Sequence, residues 1–422
     1  MKMSRKSGRL ASGTHAVLDV GTSKVACFIA EIDAAGAIAV RGVGHQLSRG
    51  IRAGVITDFQ EAETSIIAAV HAAEQMAGQT VDGALLSLSG GGLSSRNVTI
   101  DMALMGEEVS ERDILDIVEQ GRNSVETDDC EVIHCLPVNY TLDGARGIAD
   151  PRRMRGERLS AELHLVTAYG SVTRNLAHCL ARCHLNVEEF VAAPYAAALA
   201  CVEDDELELG VTVVDMGGGV TGIAAFAGGR NVFCDVVPVG GMHVTSDIAK
   251  GLSTTISHAE RLKTLHGSCL NTANDSQVMI GVHLLGEDAE GEEGNVLPRA
   301  TLVSIIRPRC EEIFELVRGR LEASGVDATA GRRIVLIGGA SQLLGIRDLA
   351  ARVLNRQVRL GRPKPLMGLA DAVSGPAFSA SLGMLHYVLK KPLEERLLDS
   401  ARSRSGLNAR FKGVVGWFRE NF

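Results

Sequence analysis

The sequence feature that most constrains the fold is a pattern that occurs twice, once near the start of the chain and once in its middle. In each copy a short apolar segment ends in an aspartate, and two strand-like segments follow, separated by glycine-containing turns. The first copy covers residues 16–43 around Asp19, and the second covers residues 211–239 around Asp215. Apolar runs bounded by glycine and aspartate are typical of strands joined by hairpins. The pattern therefore predicts a duplicated fold with two similar halves rather than a solenoid.

The turn after each aspartate has the composition of a phosphate-binding hairpin. Glycines allow the backbone to approach a ligand closely and to aim several N–H groups at it. A carboxylate cannot itself favour phosphate, so Asp19 and Asp215, facing each other across a cleft, would hold hydrated Mg²⁺ that also binds phosphate oxygens. One such hairpin is compatible with an ordinary turn. Two in matching contexts favour a phosphate site.

A third glycine element follows a strand-like run at residues 334–337. Gly338, Gly339 and Ala340 come directly after it, and residues 343–353 have helical spacing. A Gly-Gly turn between a buried strand and a helix would let a flat ring lie on the backbone. The alternative is an ordinary connection between a strand and a helix.

The composition limits the class of protein. With 45% hydrophobic and 22% charged residues, we expect a soluble globular protein with a large core. The formal net charge of −8 argues against nonspecific binding of nucleic acid. No window approaches the roughly 18 apolar residues of a spanning helix, and the basic start lacks the apolar core of a signal peptide. The nine cysteines form no disulfide framework and fit buried thiols in a reducing cytosol.

Aromatic residues are concentrated at the end of the chain. Only 4% of the chain is aromatic, yet four of its 15 Phe, Trp and Tyr residues fall in the last twelve positions. On a helix the apolar side chains of this segment share one face, with cations opposite. That face consists of Leu407, Phe411, Val414, Val415, Phe418 and Phe422, with Trp417 at its side. Following a charged linker, such a helix suits an anionic membrane surface. The alternative is a helix docked on the protein's own core.

Taken together, the three glycine motifs resemble the phosphate-1, phosphate-2 and adenosine motifs of the actin, Hsp70 and sugar-kinase superfamily. They occupy residues 18–22, 214–219 and 337–340 in the order that the superfamily has. Residues 193–200 and 375–385 resemble its two connecting helices. The chain is most similar to the FtsA family of bacterial cell-division proteins, over nearly its whole length. Further stretches that carry this resemblance are residues 50–56, 244–249, 259–263, 299–302 and 307–309.

The resemblance implies an α/β fold, the actin-like two-domain ATPase fold built from duplicated RNase H-like halves. It adds an inserted subdomain called 1C and a carboxyl-terminal amphipathic helix. The implied divisions are subdomain 1A at residues 1–83 and 166–204, 1C at 84–165, 2A at 205–239 and 308–390, 2B at 240–307, a linker at 391–406 and the membrane-targeting helix at 407–422.

The resemblance also implies ATP and Mg²⁺ as cofactors. The residues implied to bind the nucleotide are Asp19, Gly21, Thr22, Ser23, Lys24, Asp215, Gly217, Gly218, Gly219, Glu260, Lys263, Gly338, Gly339 and Ala340. Of these, Asp19 and Asp215 would hold the metal through water. Glu260 and Lys263 would contact the ribose and adenine; without the resemblance they read as a surface ion pair at i, i+3.

One position departs from the pattern of some superfamily members. They carry a carboxylate just before the first connecting helix, where it can orient an attacking water. This chain has Ala193 there, and Asn175 is only a weak substitute. We therefore expect slow hydrolysis or simple binding, with ATP acting as a switch for conformation and assembly.

The function implied by the resemblance is to tether filaments of the tubulin-like protein FtsZ to the inner face of the cytoplasmic membrane at midcell. The chain would bind the FtsZ carboxyl-terminal peptide in 2B through Arg299, Arg307 and Arg309, and would assemble with itself into filaments. Subdomain 1C would contact later division proteins. The alternatives are a superfamily kinase, an Hsp70-type chaperone and a pilus-assembly relative.

Two groups of cysteine and histidine residues present a separate question. One comprises His178, Cys179, Cys183 and His184, and the other comprises Cys130, His134 and Cys135. Zinc sites usually show tighter ligand pairing than these spacings give. Buried thiols in an alanine-rich core are the favoured interpretation, with a metal site as the alternative.

Overall fold

The computed structural model describes residues 12–125, 127, 129–285, 295–326 and 329–392. The predicted linker from residue 393 onward and the predicted amphipathic helix lie outside the described residues. The chain divides into two compact units. The larger one comprises the residues up to 95 together with residues 168–389, and the smaller one comprises residues 96–167.

Strands and helices alternate along both units. In chain order the strands are β1 (Gly13–Val20), β2 (Lys24–Ile32), β3 (Ile38–Leu47), β4 (Ile51–Arg52), β5 (Val55–Ile56), β6 (Gly83–Leu88), β7 (Ser94–Ala103), β8 (Cys130–Leu142), β9 (Ala145–Ile148), β10 (Arg158–Tyr169), β11 (Asn186–Ala192), β12 (Val211–Met216), β13 (Thr221–Ala227), β14 (Arg230–Val237), β15 (Met279–Val282), β16 (Asn295–Pro298), β17 (Arg333–Ile337) and β18 (Gln357–Leu360). The α-helices are α1 (Phe59–Ala77), α2 (Glu111–Asn123), α3 (Gly170–Arg182), α4 (Ala193–Cys201), α5 (Asp204–Leu209), α6 (Gly241–Gly251), α7 (Ile256–His266), α8 (Arg299–Ser324), α9 (Ile346–Leu354) and α10 (Ser379–Lys390).

The larger unit contains two five-stranded sheets with the same topology. The first has the strand order β11–β6–β1–β2–β3, and the second has the order β18–β17–β12–β13–β14. In each sheet three consecutive strands form an antiparallel meander, and two later strands add in parallel beside the first strand of that meander. The predicted duplication of a β-meander is therefore confirmed, and both aspartates end the first strand of their meander.

Helix α1 shows how local sequence fixes the packing in the first half. The side chain of Asp58 caps its start by accepting from the Glu61 N–H at 3.1 Å, and Gly78 ends it in the left-handed region at φ 68°. The helix packs so closely on β3 that a Cβ atom at Gly42 or Gly44 would come within about 2 Å of a carbonyl oxygen of α1. Glycine on the strand and alanine on the helix therefore allow the two elements to touch.

The two connecting helices predicted from the sequence are present as α4 and α10. Every residue of α4 is buried, and a Cβ atom at Gly383 of α10 would lie 1.9 Å from the carbonyl oxygen of Ala196. A short 3₁₀ turn at Pro376–Phe378 precedes α10. The crossing of these helices thus depends on backbone-to-backbone contact at one glycine.

Helix α8 is the longest helix of the second half and joins its parts. It contains Pro308 in its interior and buries apolar residues along its length, including Phe314. It also runs across the expected boundary between 2B and 2A at residues 307 and 308. A continuous helix through this boundary means that the small sheet of β15 and β16 and the large second sheet share one structural support.

The smaller unit has its own sheet and its own apolar core. Its strand order is β7–β10–β8–β9, and α2 packs against β8. Ser110 caps the start of α2 and forms a capping box with Asp113. The expected start of the insertion near residue 84 differs from the structure, in which the unit starts at Arg96. The reason is that β6 pairs with β1 and β11 and so belongs to the first large sheet.

None of the helices in the described ranges combines the length and apolarity needed to cross a membrane. All nine cysteines are free thiols, and seven of them are buried. This agrees with the expectation of unpaired cysteines in an apolar core.

Candidate functional site

One cavity of about 680 Å³ in the larger unit lies at the ends of β1 and β12. Residues from both halves of the duplicated fold line this cavity, and its volume is within the range typical of small-molecule sites. All of the residues predicted to bind nucleotide line it, namely Asp19, Gly21, Thr22, Ser23, Lys24, Asp215, Gly217, Gly218, Gly219, Glu260, Lys263, Gly338, Gly339 and Ala340. The structure therefore brings together sequence segments that are separated by more than half of the chain.

The two hairpin turns have the same local geometry. Gly21 N–H donates to the carbonyl of Lys24 at 3.0 Å, and Gly217 N–H donates to the carbonyl of Val220 at 3.0 Å. The tips also touch across the cavity: a Cβ atom at Gly218 would lie 2.0 Å from Ser23 Oγ. Glycine is therefore required at the tip by the approach of the opposite hairpin.

The two aspartates occupy different environments. Asp19 accepts a hydrogen bond from Ser87 Oγ at 2.6 Å, and Ser87 is itself buried on β6. Burial, and to a smaller extent the charge of Asp19, raise the pKa of Asp215 to about 7, and the positive charge of Lys24 acts in the opposite direction. A carboxyl group with this pKa carries about half a proton at neutral pH, which signals an excess of negative charge at the centre of the cavity.

A hydrogen-bonded group on α6 and α7 forms one wall of the cavity. Lys263 Nζ lies 2.7 Å from Glu260 Oε2 and 2.8 Å from Thr245 Oγ1, and Thr245 Oγ1 lies 2.5 Å from Glu260 Oε2. Lys263 also donates to the carbonyl of Gly241 at 3.1 Å. These bonds hold one carboxylate and one ammonium group at fixed positions facing the cavity.

The opposite wall is formed by backbone at the end of β17. Gly338 has φ 84°, and a Cβ atom there would lie 2.4 Å from Asp215 Oδ1. Gly339 has ordinary backbone angles, with space for a side-chain atom above it. The Gly-Gly turn thus packs against the second aspartate on one side and leaves open space on the other.

Lys24 connects the first hairpin to the segment before α10. Its Nζ donates to the carbonyl of Ala377 and lies 4.5 Å from the centre of the Phe378 ring. The ring of Phe378 also packs edge-on against Phe28 of β2, with centroids 5.9 Å apart. A displacement of the first hairpin would therefore also displace the segment that precedes α10, the second connecting helix.

The cavity contains few groups that could act as a general base. Among the described residues that line it, the acidic ones are Asp19, Asp215 and Glu260. Ala193 lies in the first turn of α4, at the position where some superfamily members carry a carboxylate. Asn175 is exposed on α3 and is not among the residues that line the cavity.

The sequence patterns did not predict two residues that hydrogen-bond to groups of the site, Ser87 and Thr245. Ser87 was missed because it stands in an apolar run, although a lone small polar residue in a buried strand is a usable signal. Thr245 was missed because its role depends on α6 and α7 lying side by side, which no local pattern reveals.

The three arginines predicted to contact a partner are all paired within the chain. Arg299 Nη1 lies 2.6 Å from Asp275 Oδ1, Arg307 Nε lies 2.7 Å from Glu311 Oε1, and Arg309 Nε lies 2.6 Å from Asp247 Oδ2. Arg299 also lines the cavity. The residues predicted to enter the membrane, 407–422, lie outside the described residues.

The cysteine and histidine groups do not gather into metal ligand sets. Within the ranges that the structure describes, no three side chains of His, Cys, Asp or Glu are placed to hold an ion. Cys179 is buried one helical turn before the half-buried Cys183, whereas the ring of His178 packs against Phe59.

Comparison with known proteins identifies the family. Residues 212–383 match the family described as "Cell division protein FtsA", and residues 90–167 match the "SHS2 domain inserted in FTSA". The chain is 43% identical over 418 residues to the cell division protein FtsA of Rhizobium meliloti, covering 96% of this chain and 94% of that protein. The chain belongs to the FtsA family of cell division proteins. FtsA of Escherichia coli K12 is 32% identical over 412 residues, covering 96% of this chain and 97% of its own length.

Solved structures support the actin-like fold that the FtsA family implies. The type IV pilus biogenesis complex PilM–PilN aligns with a TM-score of 0.64 at 15% identity, covering 90% of this chain and 99% of that chain. MreB5 of Spiroplasma citri bound to ADP aligns with a TM-score of 0.53 at 13% identity, covering 92% and 99%. The FtsA chain described here therefore has an actin-like fold with an SHS2 insertion.

Proposed function

We propose that the cavity binds ATP with Mg²⁺ and that the nucleotide acts as a switch for conformation and assembly. The observation that carries this proposal is the convergence of two aspartate–glycine hairpins with a Gly-Gly turn around one cavity. The hairpins offer backbone N–H groups and Lys24 to phosphates. The fold neighbour MreB5, whose structure holds ADP, gives further support.

The residues present fit a divalent cation. Asp19 and Asp215 both line the cavity, and the pKa of Asp215 is raised to about 7 by burial and by the charge of Asp19; a cation between the two carboxylates would offset that charge. Mg²⁺ accepts one or two carboxylates and keeps most of its water. When bound, it would supply positive charge that offsets the charge of the triphosphate.

The remaining groups would orient the nucleotide. Glu260 and Lys263, fixed by Thr245, would contact the ribose and adenine, and Gly338 and Gly339 would lie against the ring. No carboxylate stands at position 193 to orient a water. We therefore expect turnover to be slow compared with binding.

The nucleotide proposal is tested by calorimetry of the substitution Asp215→Ala. ATP binding in the presence of Mg²⁺ should be abolished, because the variant loses one of the two carboxylates that hold the cation. Asp205→Ala, at an exposed position on α5, is the matched control and should bind ATP normally. Normal ATP affinity in Asp215→Ala would refute the site assignment.

For the cellular role, we propose that the chain tethers FtsZ filaments to the inner face of the cytoplasmic membrane at the division septum. Membership of the FtsA family and the amphipathic sequence of residues 407–422 support this proposal. The chain would be a peripheral protein that also assembles with itself into filaments, and its inserted subdomain would contact later division proteins.

We propose that FtsZ docks in the region of β15 and β16, near Arg299, Arg307 and Arg309, each of which is paired with a carboxylate of the chain. The hairpin exposes Met279 and Val296, which are 54% and 59% exposed. A pull-down with the FtsZ carboxyl-terminal peptide tests this role. Capture of the chain supports the proposed tethering role, whereas no capture would contradict it.

A further inference from the structure

Arg299 and Asp275 form a buried ion pair at the start of α8. The Nη1 and Oδ1 atoms are 2.6 Å apart, and the two side chains are only 17% and 2% exposed. The other carboxylate oxygen accepts from the Thr272 N–H at 2.7 Å. That backbone N–H, assisted by Arg299, holds the pKa of Asp275 below its usual range. Pairing and hydrogen bonding of this kind are what keep a buried charge tolerable.

One side of the pair reaches the cavity. Arg299 lines it, and its Nε donates to the carbonyl of His266 at 2.7 Å. His266 is the last residue of α7, the helix that carries Glu260 and Lys263. A cation that donates to a terminal helix carbonyl stabilises that end of the helix. Arg299 therefore fixes the position of α7 from outside the set of predicted nucleotide contacts.

The other side of the pair reaches the hairpin of β15 and β16. The N–H of Arg299 donates to the carbonyl of Val278 at 2.8 Å, and the N–H of Ala300 donates to the carbonyl of Asp275 at 3.0 Å. Val278 directly precedes β15, and Arg299 directly follows β16. The same residue thus holds the base of the hairpin and the end of the helix that lines the cavity.

We propose that Arg299 and Asp275 are positioning residues that couple occupancy of the cavity to the order of the β15–β16 hairpin. The inference rests on the proposed nucleotide function. A nucleotide packed against α7 would restrain its carboxyl-terminal end, so that the bonds of Arg299 persist and the hairpin opens less often. Because coupling is reciprocal, a partner that binds the ordered hairpin would raise nucleotide affinity by the same factor.

Hydrogen exchange of the full chain, read by mass spectrometry, tests the coupling. In the unaltered chain, saturating ATP with Mg²⁺ should slow exchange of the amides of residues 279–282 and 295–297 by about fivefold or more. In Asp275→Asn, which keeps the shape of the side chain but removes its charge, ATP should still bind and the slowing at the hairpin should be lost. Glu311→Gln, which breaks the ion pair with Arg307 on α8, is the matched control and should keep the slowing.

A second variant tests the same coupling in case Asp275→Asn does not fold. Arg299→Lys keeps the charge but cannot make both contacts of the guanidinium group, so the slowing should be reduced at an ATP concentration that saturates the variant. Slowing that is equal in the unaltered chain and in both variants would overturn the coupling, as would ATP binding with no change at the hairpin. If calorimetry shows no ATP binding by the unaltered chain, the nucleotide proposal fails and this one with it.

Discussion

At the scale of the residue, Asp215 is the group of the site whose raised pKa links the stability of the fold to pH. Its pKa of about 7 in the folded chain lies well above the value of about 3.9 expected after unfolding. The folded state therefore holds a proton that the unfolded state has released, and between pH 4 and 7 this group makes stability fall as pH rises. Burial of Asp215 beside Asp19 therefore has an energetic cost that increases with pH.

The prediction is that Asp215→Asn removes this part of the pH dependence, because the amide does not titrate. Between about pH 4.5 and 8, the free energy of unfolding of the nucleotide-free chain should fall by about 1–2 kcal/mol more than that of the variant, given about 1.4 kcal/mol per pKa unit and partial screening by solvent. Urea denaturation at several pH values measures it. Asp205→Asn is the control, and parallel pH curves for Asp215→Asn and the unaltered chain would contradict the prediction.

At the scale of the element, the crossing of α4 and α10 is the contact with least tolerance. A methyl group at Gly383 would meet the carbonyl of Ala196 at 1.9 Å, so the helices must separate to admit it. We expect Gly383→Ala to destabilise the chain by about 1–3 kcal/mol, as overpacking of a core does.

Gly319 offers a matched control on another helix. It lies on α8 with nothing near the position of an added Cβ, so Gly319→Ala should stabilise by about 0.5–1 kcal/mol through higher helix propensity. Denaturant unfolding of both variants gives the comparison. Equal stability changes of the same sign would show that helix propensity, rather than close approach, governs both positions.

The elements also show what the sequence could predict. The two meanders follow from apolar runs and turn residues, which are local signals, whereas the connecting helices were expected from the resemblance to the superfamily. The sequence pattern of β6 is the same whether this strand pairs with β1 or begins a new unit; in the structure it pairs with β1, and the smaller compact unit starts at Arg96. The pairing of strands that are distant in the sequence decides which unit β6 belongs to, and no local sequence pattern predicts that pairing.

The same reasoning applies to the site. Its glycines and aspartates could be predicted because turn chemistry restricts the residue types that fit. The inward pairing of Arg299 with Asp275 could not, because an exposed and a buried arginine look alike in a sequence. The contacts of Arg299 with the His266 carbonyl and with Asp275 form only when α7 and α8 lie together in the folded chain.

At the scale of the whole molecule, charge is divided between the body and the end of the chain. The net charge is −8 overall and +4 from residue 402 onward, which leaves −12 for the rest. An acidic body is repelled by an anionic membrane, so the proposed attachment would require a basic, apolar segment. Residues 407–422 are the segment with that composition.

The last prediction concerns this segment and uses Trp417, the only tryptophan of the chain, as reporter. Its fluorescence should shift to the blue when anionic vesicles are added, and less with neutral vesicles or high salt, because both burial and charge drive binding. Phe418→Glu keeps the reporter but places a charge on the apolar face, so the shift and co-sedimentation with vesicles should both be lost while ATP binding is unchanged. Emission that does not respond to anionic vesicles in the unaltered chain would mean that the helix docks on protein instead.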